Sequence, residues 1–224
     1  MPYLSPNQRN LLFLAIALAA SYLFAPFPEG SILNILQKSS AAFLLGILSF
    51  WATKGNRTKK LLLVALLASS AGDAFLAIRS SDYFTQGLGA FLIAHLLYIS
   101  ILARARAQGK TSSIKQFGCA LIFLFSVGMM VLLWPSLGAL KAPVFVYIAV
   151  ITTMAILAIT STYPGPIVII GAISFLVSDA TIALNKFIFQ FSMASPAIWI
   201  TYIAAQVLLT LAIIKGPPIK NADT

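Results

Sequence analysis

The chain has 224 residues, of which 60% are hydrophobic and only 9% are charged, whereas a soluble domain carries about 25% charged residues. The formal net charge is +10, but the basic residues stand in short segments between apolar stretches, which is typical of membrane orientation and not of nucleic-acid binding. A single histidine argues against a zinc hydrolase, whose metal usually needs several His or Cys ligands. The composition therefore predicts an integral membrane protein with no metal site, no organic cofactor and no nucleic-acid partner.

Eight apolar segments follow one another along the chain, each near the ~20 residues that a helix needs to cross a ~30 Å hydrocarbon core. They cover residues 6–25, 31–52, 59–78, 86–103, 114–134, 143–161, 166–185 and 196–214. Prolines fall at the starts of these segments or outside their ends, where helices tolerate them. We therefore predict an all-α protein with eight transmembrane helices in one membrane domain, residues 1–224.

Basic residues concentrate in alternate connections between the segments. The N-terminus, the second and fourth connections and the C-terminus together hold eleven Lys and Arg residues. The opposite side holds three, which are Arg79, Lys141 and Lys186, and Lys38 lies inside a segment. Because cytoplasmic loops carry the excess of Lys and Arg, both termini are predicted to be cytoplasmic. The compact loops favour a bacterial inner membrane, with the endoplasmic reticulum as the expectation for a eukaryotic host.

Two of the five carboxylate side chains lie inside apolar segments. Asp73 and Asp179 each follow a small residue and precede the pattern Ala, any residue, aliphatic, Ala. A charged carboxylate at the bilayer centre costs about 2.5 to 3.5 kcal/mol, so such a residue faces a protein interior and is functional by default. The repeated pattern also predicts two parallel four-helix halves related by internal duplication.

Further polar residues lie at a similar depth when 1.5 Å of rise is counted for each residue from the segment ends. The predicted substrate-binding residues are Lys38, His95, Tyr147, Lys186, Tyr202 and Gln206. Lys186 is two helical turns beyond Asp179, on the same face, where it could hold a lipid phosphate, with ordinary snorkelling of its ammonium to the membrane interface as the alternative. For Lys38, a charge pair with an aspartate and a contact with a substrate phosphate both stay open. The uncharged members could instead be hydrogen-bonded links between helices.

The motifs around these residues resemble one known family. They are Gly72-Asp73-Ala74-Phe75-Leu76, the run Ala-Phe-Leu-Ile-Ala-His-Leu-Leu-Tyr at 90–98, Ser178-Asp179 with Asn185-Lys186-Phe187, and Tyr-Ile-Ala-Ala-Gln at 202–206. In span number and motif order the chain is similar to the lysoplasmalogenase family, the YhhN-like membrane proteins. One departure is Lys38-Ser39, where many relatives have Lys followed by Pro.

The resemblance implies an ether hydrolase of lipid metabolism. Its expected substrate is a lysoplasmalogen, a lysophospholipid taken from among membrane lipids, with products of a fatty aldehyde and a glycerophospho-ethanolamine or glycerophosphocholine. The resemblance places the two essential acids at Asp73 and Asp179. A vinyl ether yields to acid, because protonation of its outer carbon gives an oxocarbenium ion that water captures. Two carboxylates serve such chemistry in glycosidases, where one donates a proton and the other stabilises the cation or activates water.

Other membrane functions remain alternatives at this point. A proton-coupled small-molecule or lipid transporter also places carboxylates in mid-membrane, but it commonly has helix-breaking Gly or Pro residues at its substrate site. An intramembrane aspartyl protease uses two aspartates, but the Tyr-Asp, Gly-x-Gly-Asp and Pro-Ala-Leu set of such enzymes is missing from this sequence. A rhomboid-type serine protease would need a Gly-x-Ser-Gly motif, which is also missing.

Overall fold

The computed structural model describes residues 3–24, 27–78, 83–107 and 111–217. Within these ranges the regular elements are helical, and the α-helices are α1 Pro6–Tyr22, α2 Ile32–Ala52, α3 Asn56–Ala77, α4 Phe84–Arg104, α5 Ser113–Leu133, α6 Lys141–Thr160, α7 Gly165–Phe187 and α8 Ala194–Lys215. Two short 3-10 helices, Trp134–Ser136 and Gly138–Leu140, join α5 to α6. The prediction of an all-α protein is confirmed.

The helices from α2 to α8 are each long and apolar enough to cross a membrane, which gives seven candidate spans within the described ranges. This supports a multi-pass membrane protein. The first helix is different, because it ends at Tyr22 after 17 residues, a length of about 26 Å at 1.5 Å per residue. Eight crossings therefore stay a prediction.

Local sequence signals set several helix ends. Ser5 and Gln8 form a reciprocal capping box at the start of α1, and the Ser31 hydroxyl accepts a hydrogen bond from the Asn34 amide at the start of α2. Both contacts satisfy amides that the first helical turn leaves free. At the other end of the chain, α8 stops at Gly216, whose φ of 76° lies in the left-handed region that favours glycine.

Helices that follow one another in the chain pack together, except for α4 and α5, and contacts of α4 with α6 and of α2 with α8 close the bundle. Polar side chains bridge several of these pairs. Trp199 Nε1 donates to the Ala19 carbonyl oxygen over 2.8 Å, which ties α8 to α1. Ser70 Oγ donates to the Ser39 carbonyl oxygen over 2.8 Å, which ties α3 to α2. Such hydrogen bonds are a common link between helices in membranes.

The connections that carry most of the described basic residues meet at one end of the bundle. Gln8 Nε2 donates to the Trp51 carbonyl oxygen over 3.2 Å, so the start of α1 lies beside the end of α2. The Thr162 amide donates to the Ala105 carbonyl oxygen over 2.6 Å, so the connections after α4 and α6 are adjacent. Of the charges used to predict orientation, Arg79, Lys110 and Lys220 lie outside the described residues.

The outer surface of the bundle is apolar along α5. Large side chains that are more than half exposed project from this helix, among them Ile114, Phe117, Leu124 and Val131. A contiguous apolar surface of this kind is unfavourable in water but suits contact with lipid. The polar side chains of the predicted site lie instead on the helices behind α5.

Candidate active site

Asp179 is held by two side chains from other helices. Tyr147 Oη on α6 donates to Asp179 Oδ2 over 2.6 Å. His95 Nε2 on α4 lies 3.2 Å from the same oxygen and 3.1 Å from Tyr147 Oη. With its proton on Nε2, His95 is a second donor to the carboxylate. Two contacts on one oxygen, from α4 and α6, fix the position of the Asp179 carboxyl group on α7.

Asp73 occupies a more enclosed position on α3. Its side chain is only 2% exposed, and Tyr202 Oη on α8 donates to Asp73 Oδ2 over 2.6 Å. The Lys38 ammonium on α2 lies within electrostatic reach of this carboxylate, and it also lies 5.8 Å from the ring centre of Tyr22. The alternative in which Lys38 pairs with an aspartate is therefore consistent with the structure.

Gln206 lies in the core one turn after Tyr202 on α8. Its Oε1 accepts a hydrogen bond of 2.8 Å from Tyr98 Oη on α4. Both side chains are fully buried. This hydrogen bond links α4 to α8, and no described hydrogen bond joins it to Tyr202 or Asp73.

Phe175 separates the two carboxylate networks. Its ring centre lies 4.5 Å from that of His95 and 5.7 Å from that of Tyr202. Phe91 adds an edge-on contact with Tyr202 at 5.6 Å. Among the described residues no hydrogen bond joins Asp73 to Asp179, so each carboxylate has its own partners.

Glycine at position 72 permits this close aromatic packing. A β-carbon there would lie 2.7 Å from Phe91 Cε2, closer than real contacts allow. At the corresponding position before Asp179 the chain has Ser178, whose hydroxyl donates to the Ile198 carbonyl oxygen over 3.1 Å. The small residue before each aspartate therefore has a packing reason, which differs between the two motifs.

Two adjoining cavities lie beside these networks. The first is apolar and includes Tyr147 and Asp179 in its wall. The second, which we call the polar cavity, has a mixed wall that includes Lys38, Asn185 and Lys186 together with aromatic side chains such as Trp199. Asp179 is 12% exposed, so its carboxylate is accessible from the apolar cavity.

All eight predicted site residues lie within the described structure, on six of the helices. The structure brings together Asp179, Tyr147 and His95 in one network and Asp73 and Tyr202 in another, while Gln206 is bonded to Tyr98. Lys38 and Lys186 are apart from the hydrogen-bonded groups and line the polar cavity. These placements agree with a shared site, while the roles of the residues stay predictions.

Sequence reasoning missed several aromatic members of the site. Tyr98 contacts Gln206, Phe175 stands between the networks, and Tyr22 and Trp199 line the polar cavity with ring centres 4.6 Å apart. Aromatic residues at helical spacing are usually core residues, so their spacing gave no signal. Tyr98 could have been predicted as a site residue, because it lies three residues after His95 and therefore on the same helix face.

Comparison with known proteins decides the family. The YhhN family model matches residues 33–213. The chain belongs to the YhhN family. All eight predicted site residues fall inside the matched range, whereas α1 and Tyr22 precede it.

Curated relatives of this YhhN family chain occur in bacteria and mammals. It is 35% identical over 182 residues to a Mycobacterium tuberculosis protein named lysoplasmalogenase, covering 80% of this chain and 69% of the relative. It is 32% identical over 182 residues to the Bos taurus protein named lysoplasmalogenase TMEM86A, covering 75% of this chain and 70% of the relative. It is 28% identical over 223 residues to the Rattus norvegicus protein named lysoplasmalogenase TMEM86B, covering 96% and 89%. No solved structure matches the chain significantly.

Proposed function

We propose that this chain is a lysoplasmalogenase, which hydrolyses the vinyl ether bond of lysoplasmalogens to a fatty aldehyde and a glycerophospho-ethanolamine or glycerophosphocholine. The observation that carries the proposal is the pair of adjoining cavities. One is apolar with Asp179 in its wall, and the other contains Lys38 and Lys186. A lipid with one hydrocarbon chain and an anionic phosphate has the complementary chemistry. The names of the curated relatives support the same activity.

The order of residues along α7 suggests how the lipid lies in the site. Asp179, Ile182 and Lys186 stand at intervals of three and four residues, so they share one helix face. Asp179 lines the apolar cavity, Lys186 lines the polar cavity, and Ile182 lines both. The seven residues from Asp179 to Lys186 correspond to about 10 Å along the helix. A phosphate at Lys186 would thus leave the glycerol and the vinyl ether to extend towards Asp179.

The proposed reaction consumes one water molecule and needs one proton on carbon. A carboxylic acid protonates the outer carbon of the double bond, and positive charge then develops on the carbon that bears oxygen. Water adds to that carbon and loses a proton, which gives a hemiacetal. The hemiacetal collapses to the aldehyde and the glycerol hydroxyl, with the glycerol carbon to oxygen bond intact. After giving up its proton, the same acid accepts a proton from the attacking water, and the second carboxylate stabilises the positive charge electrostatically.

The two networks suggest different parts in this reaction. The described hydrogen bonds to Asp179 all involve Oδ2, which leaves Oδ1 for the substrate. We assign Asp179 to direct contact with the vinyl ether. Asp73 is the second carboxylate, held by Tyr202 near the positive charge of Lys38.

The geometry favours this reaction over an aspartyl protease. In an aspartic protease dyad the two carboxylates lie together and share one proton. Here Asp73 and Asp179 have separate partners, with Phe175 between the tyrosine of one network and the histidine of the other.

For topology we propose eight crossings in a single membrane domain, with both termini cytoplasmic and the inner membrane as the location in a bacterium. The eleven-to-three distribution of Lys and Arg supports this orientation. We also propose that α1 to α4 and α5 to α8 are two parallel halves. Each set packs in sequential order, and α3 and α7 carry the corresponding aspartates.

The test is aldehyde release from purified protein in detergent micelles with a lysoplasmalogen as the only lipid substrate. We expect aldehyde and glycerophospho-ethanolamine or glycerophosphocholine in equal amounts. Asp179→Asn is the inactive comparison, and Glu29→Gln is the matched control because it removes an exposed carboxylate between α1 and α2. Transport of intact lipid across proteoliposomes without aldehyde would favour the transporter instead.

A further inference from the structure

Three apolar side chains stand where the two cavities adjoin. Leu76 on α3, Phe84 on α4 and Ile182 on α7 line both the apolar cavity and the polar cavity. We call these three side chains the neck. A molecule that occupied both cavities would lie against these shared side chains.

The neck lies next to both carboxylates along the chain. Leu76 is three residues after Asp73, and Ile182 is three residues after Asp179, so each is about one helical turn beyond its aspartate. On the polar side, Lys186 Nζ lies 4.2 Å from the ring centre of Phe84. On α7 the neck residue Ile182 therefore lies between Asp179 and Lys186.

Neighbouring residues pack closely against the neck side chains and limit their movement. A β-carbon on Gly87 of α4 would lie 2.9 Å from Leu76 Cδ2, which shows how closely Leu76 abuts the α4 backbone. Phe84 has an edge-on contact with Phe187, with ring centres 6.0 Å apart. Close-packed side chains of this kind resist displacement by a bulky ligand.

We propose that the neck is the specificity determinant for one-chain ether lipids, and this inference rests on the proposed function. A single alkenyl chain threads the neck with its vinyl ether at the carboxylate level. A lipid with a second acyl chain must either force that chain through the same neck or leave it in the polar cavity beside Lys186. Both arrangements are unfavourable, because the first displaces packed side chains and the second removes water from the ammonium groups of Lys38 and Lys186.

The experiment compares two substrates with the same alkenyl chain and head group, one with a free glycerol hydroxyl and one with that hydroxyl acylated. The value measured is the ratio of kcat/KM for the two-chain substrate to kcat/KM for the one-chain substrate, in detergent with full-length protein. We expect Leu76→Ala and Ile182→Ala each to raise this ratio about tenfold or more, since a few methylene groups in an apolar site change discrimination by that order. Ile182→Val removes less of the side chain, so we expect it to raise this kcat/KM ratio by a smaller factor.

Leu88→Ala is the matched control. Leu88 lines the apolar cavity but not the polar one, so its truncation enlarges the cavity without widening the neck. We expect an unchanged ratio. An equal rise in Leu88→Ala, or no rise in any neck variant while the wild type remains active, would overturn the inference.

Binding of saturated ether lipids separates this inference from the proposed function, because these analogues have no vinyl bond to hydrolyse. Thermal stabilisation of the wild type by the one-chain analogue alone, and of Ile182→Ala by both analogues, would support the neck even without turnover data. Equal stabilisation of the wild type by both analogues would contradict it. Failure of the wild type to release aldehyde from the one-chain substrate would instead refute the proposed function.

Discussion

The regions around Asp179 and Asp73 have nearly the same local sequence but different surroundings. Asp179 is partly exposed to an apolar cavity, and both Tyr147 and His95 contact its Oδ2. Asp73 is almost fully buried, accepts from Tyr202 and lies near the charge of Lys38. A repeated motif therefore identifies two carboxylates, and their tertiary surroundings are what distinguishes one from the other.

The largest expected effect is the loss of turnover in Asp179→Asn and Asp73→Asn. Each change keeps the size of the side chain but removes its acid chemistry, and general acid and base groups contribute about 10²- to 10⁴-fold. We therefore expect kcat to fall by at least about 10²-fold in both, with a retained thermal transition in detergent. If Asp73→Asn keeps wild-type kcat, Asp73 has a structural role, and the proposal that both aspartates are catalytic is wrong.

The tyrosine partners allow a sharper test of the two networks. Tyr147→Phe and Tyr202→Phe each remove one donor to a carboxylate, and a hydrogen bond to a charged group contributes about 1.5 to 3 kcal/mol. We expect kcat to fall about 10- to 100-fold in each, as measured by aldehyde release under saturating substrate. Tyr163→Phe, in the connection after α6, is the matched control with unchanged kcat. A loss of thermal stability without a loss of kcat in Tyr202→Phe would make the Asp73 network a structural one.

The lysines should affect substrate binding more than the chemical step. Lys186→Gln removes a charge from the polar cavity, and an interfacial lysine contributes about 1 kcal/mol of attraction to an anionic lipid head group. We expect KM to rise about fivefold with little change in kcat. Lys141→Gln, on the same predicted side of the membrane, should leave both unchanged. Equal effects of the two substitutions would mean that the polar cavity does not bind the phosphate.

The smallest expected effect concerns stability next to Asp73. Gly72→Ala forces Phe91 to move, and overpacking of this kind costs about 1 to 3 kcal/mol. Gly89→Ala on α4 meets open space and should be neutral or stabilising by up to about 1 kcal/mol. Thermal midpoints in the same detergent measure both. A midpoint for Gly72→Ala above that of the wild type would contradict the described packing of α3 on α4.

The sequence predicted the helices well because apolar runs of about 20 residues leave little ambiguity. For α7, the predicted range was 166–185 and the helix is Gly165–Phe187. The first segment was predicted over 6–25, but α1 ends at Tyr22. Hydropathy marks where a chain is apolar, and it does not report that a helix stops before its apolar run does.

The polar residues of the candidate site could also be predicted from the sequence, because charged and hydrogen-bonding side chains are rare inside apolar segments. Lys186 was placed on the face of Asp179 from spacing alone, and the structure puts both in the walls of adjoining cavities. The separation of the two aspartates by Phe175 was not predictable. Which aromatic ring lies between two helices depends on tertiary packing, and periodicity cannot distinguish such a ring from any other core residue.

Hydrolysis of a lysoplasmalogen in heavy water, followed by mass spectrometry of the aldehyde, tests the central claim most directly. Protonation of the outer carbon by a buried acid predicts one solvent deuterium on the carbon next to the aldehyde, together with a slower rate, because proton transfer to carbon is normally slow. An unlabelled aldehyde standard in the same buffer measures exchange through the enol. Aldehyde formed by the protein without deuterium, under conditions in which the standard shows no exchange, would contradict the account.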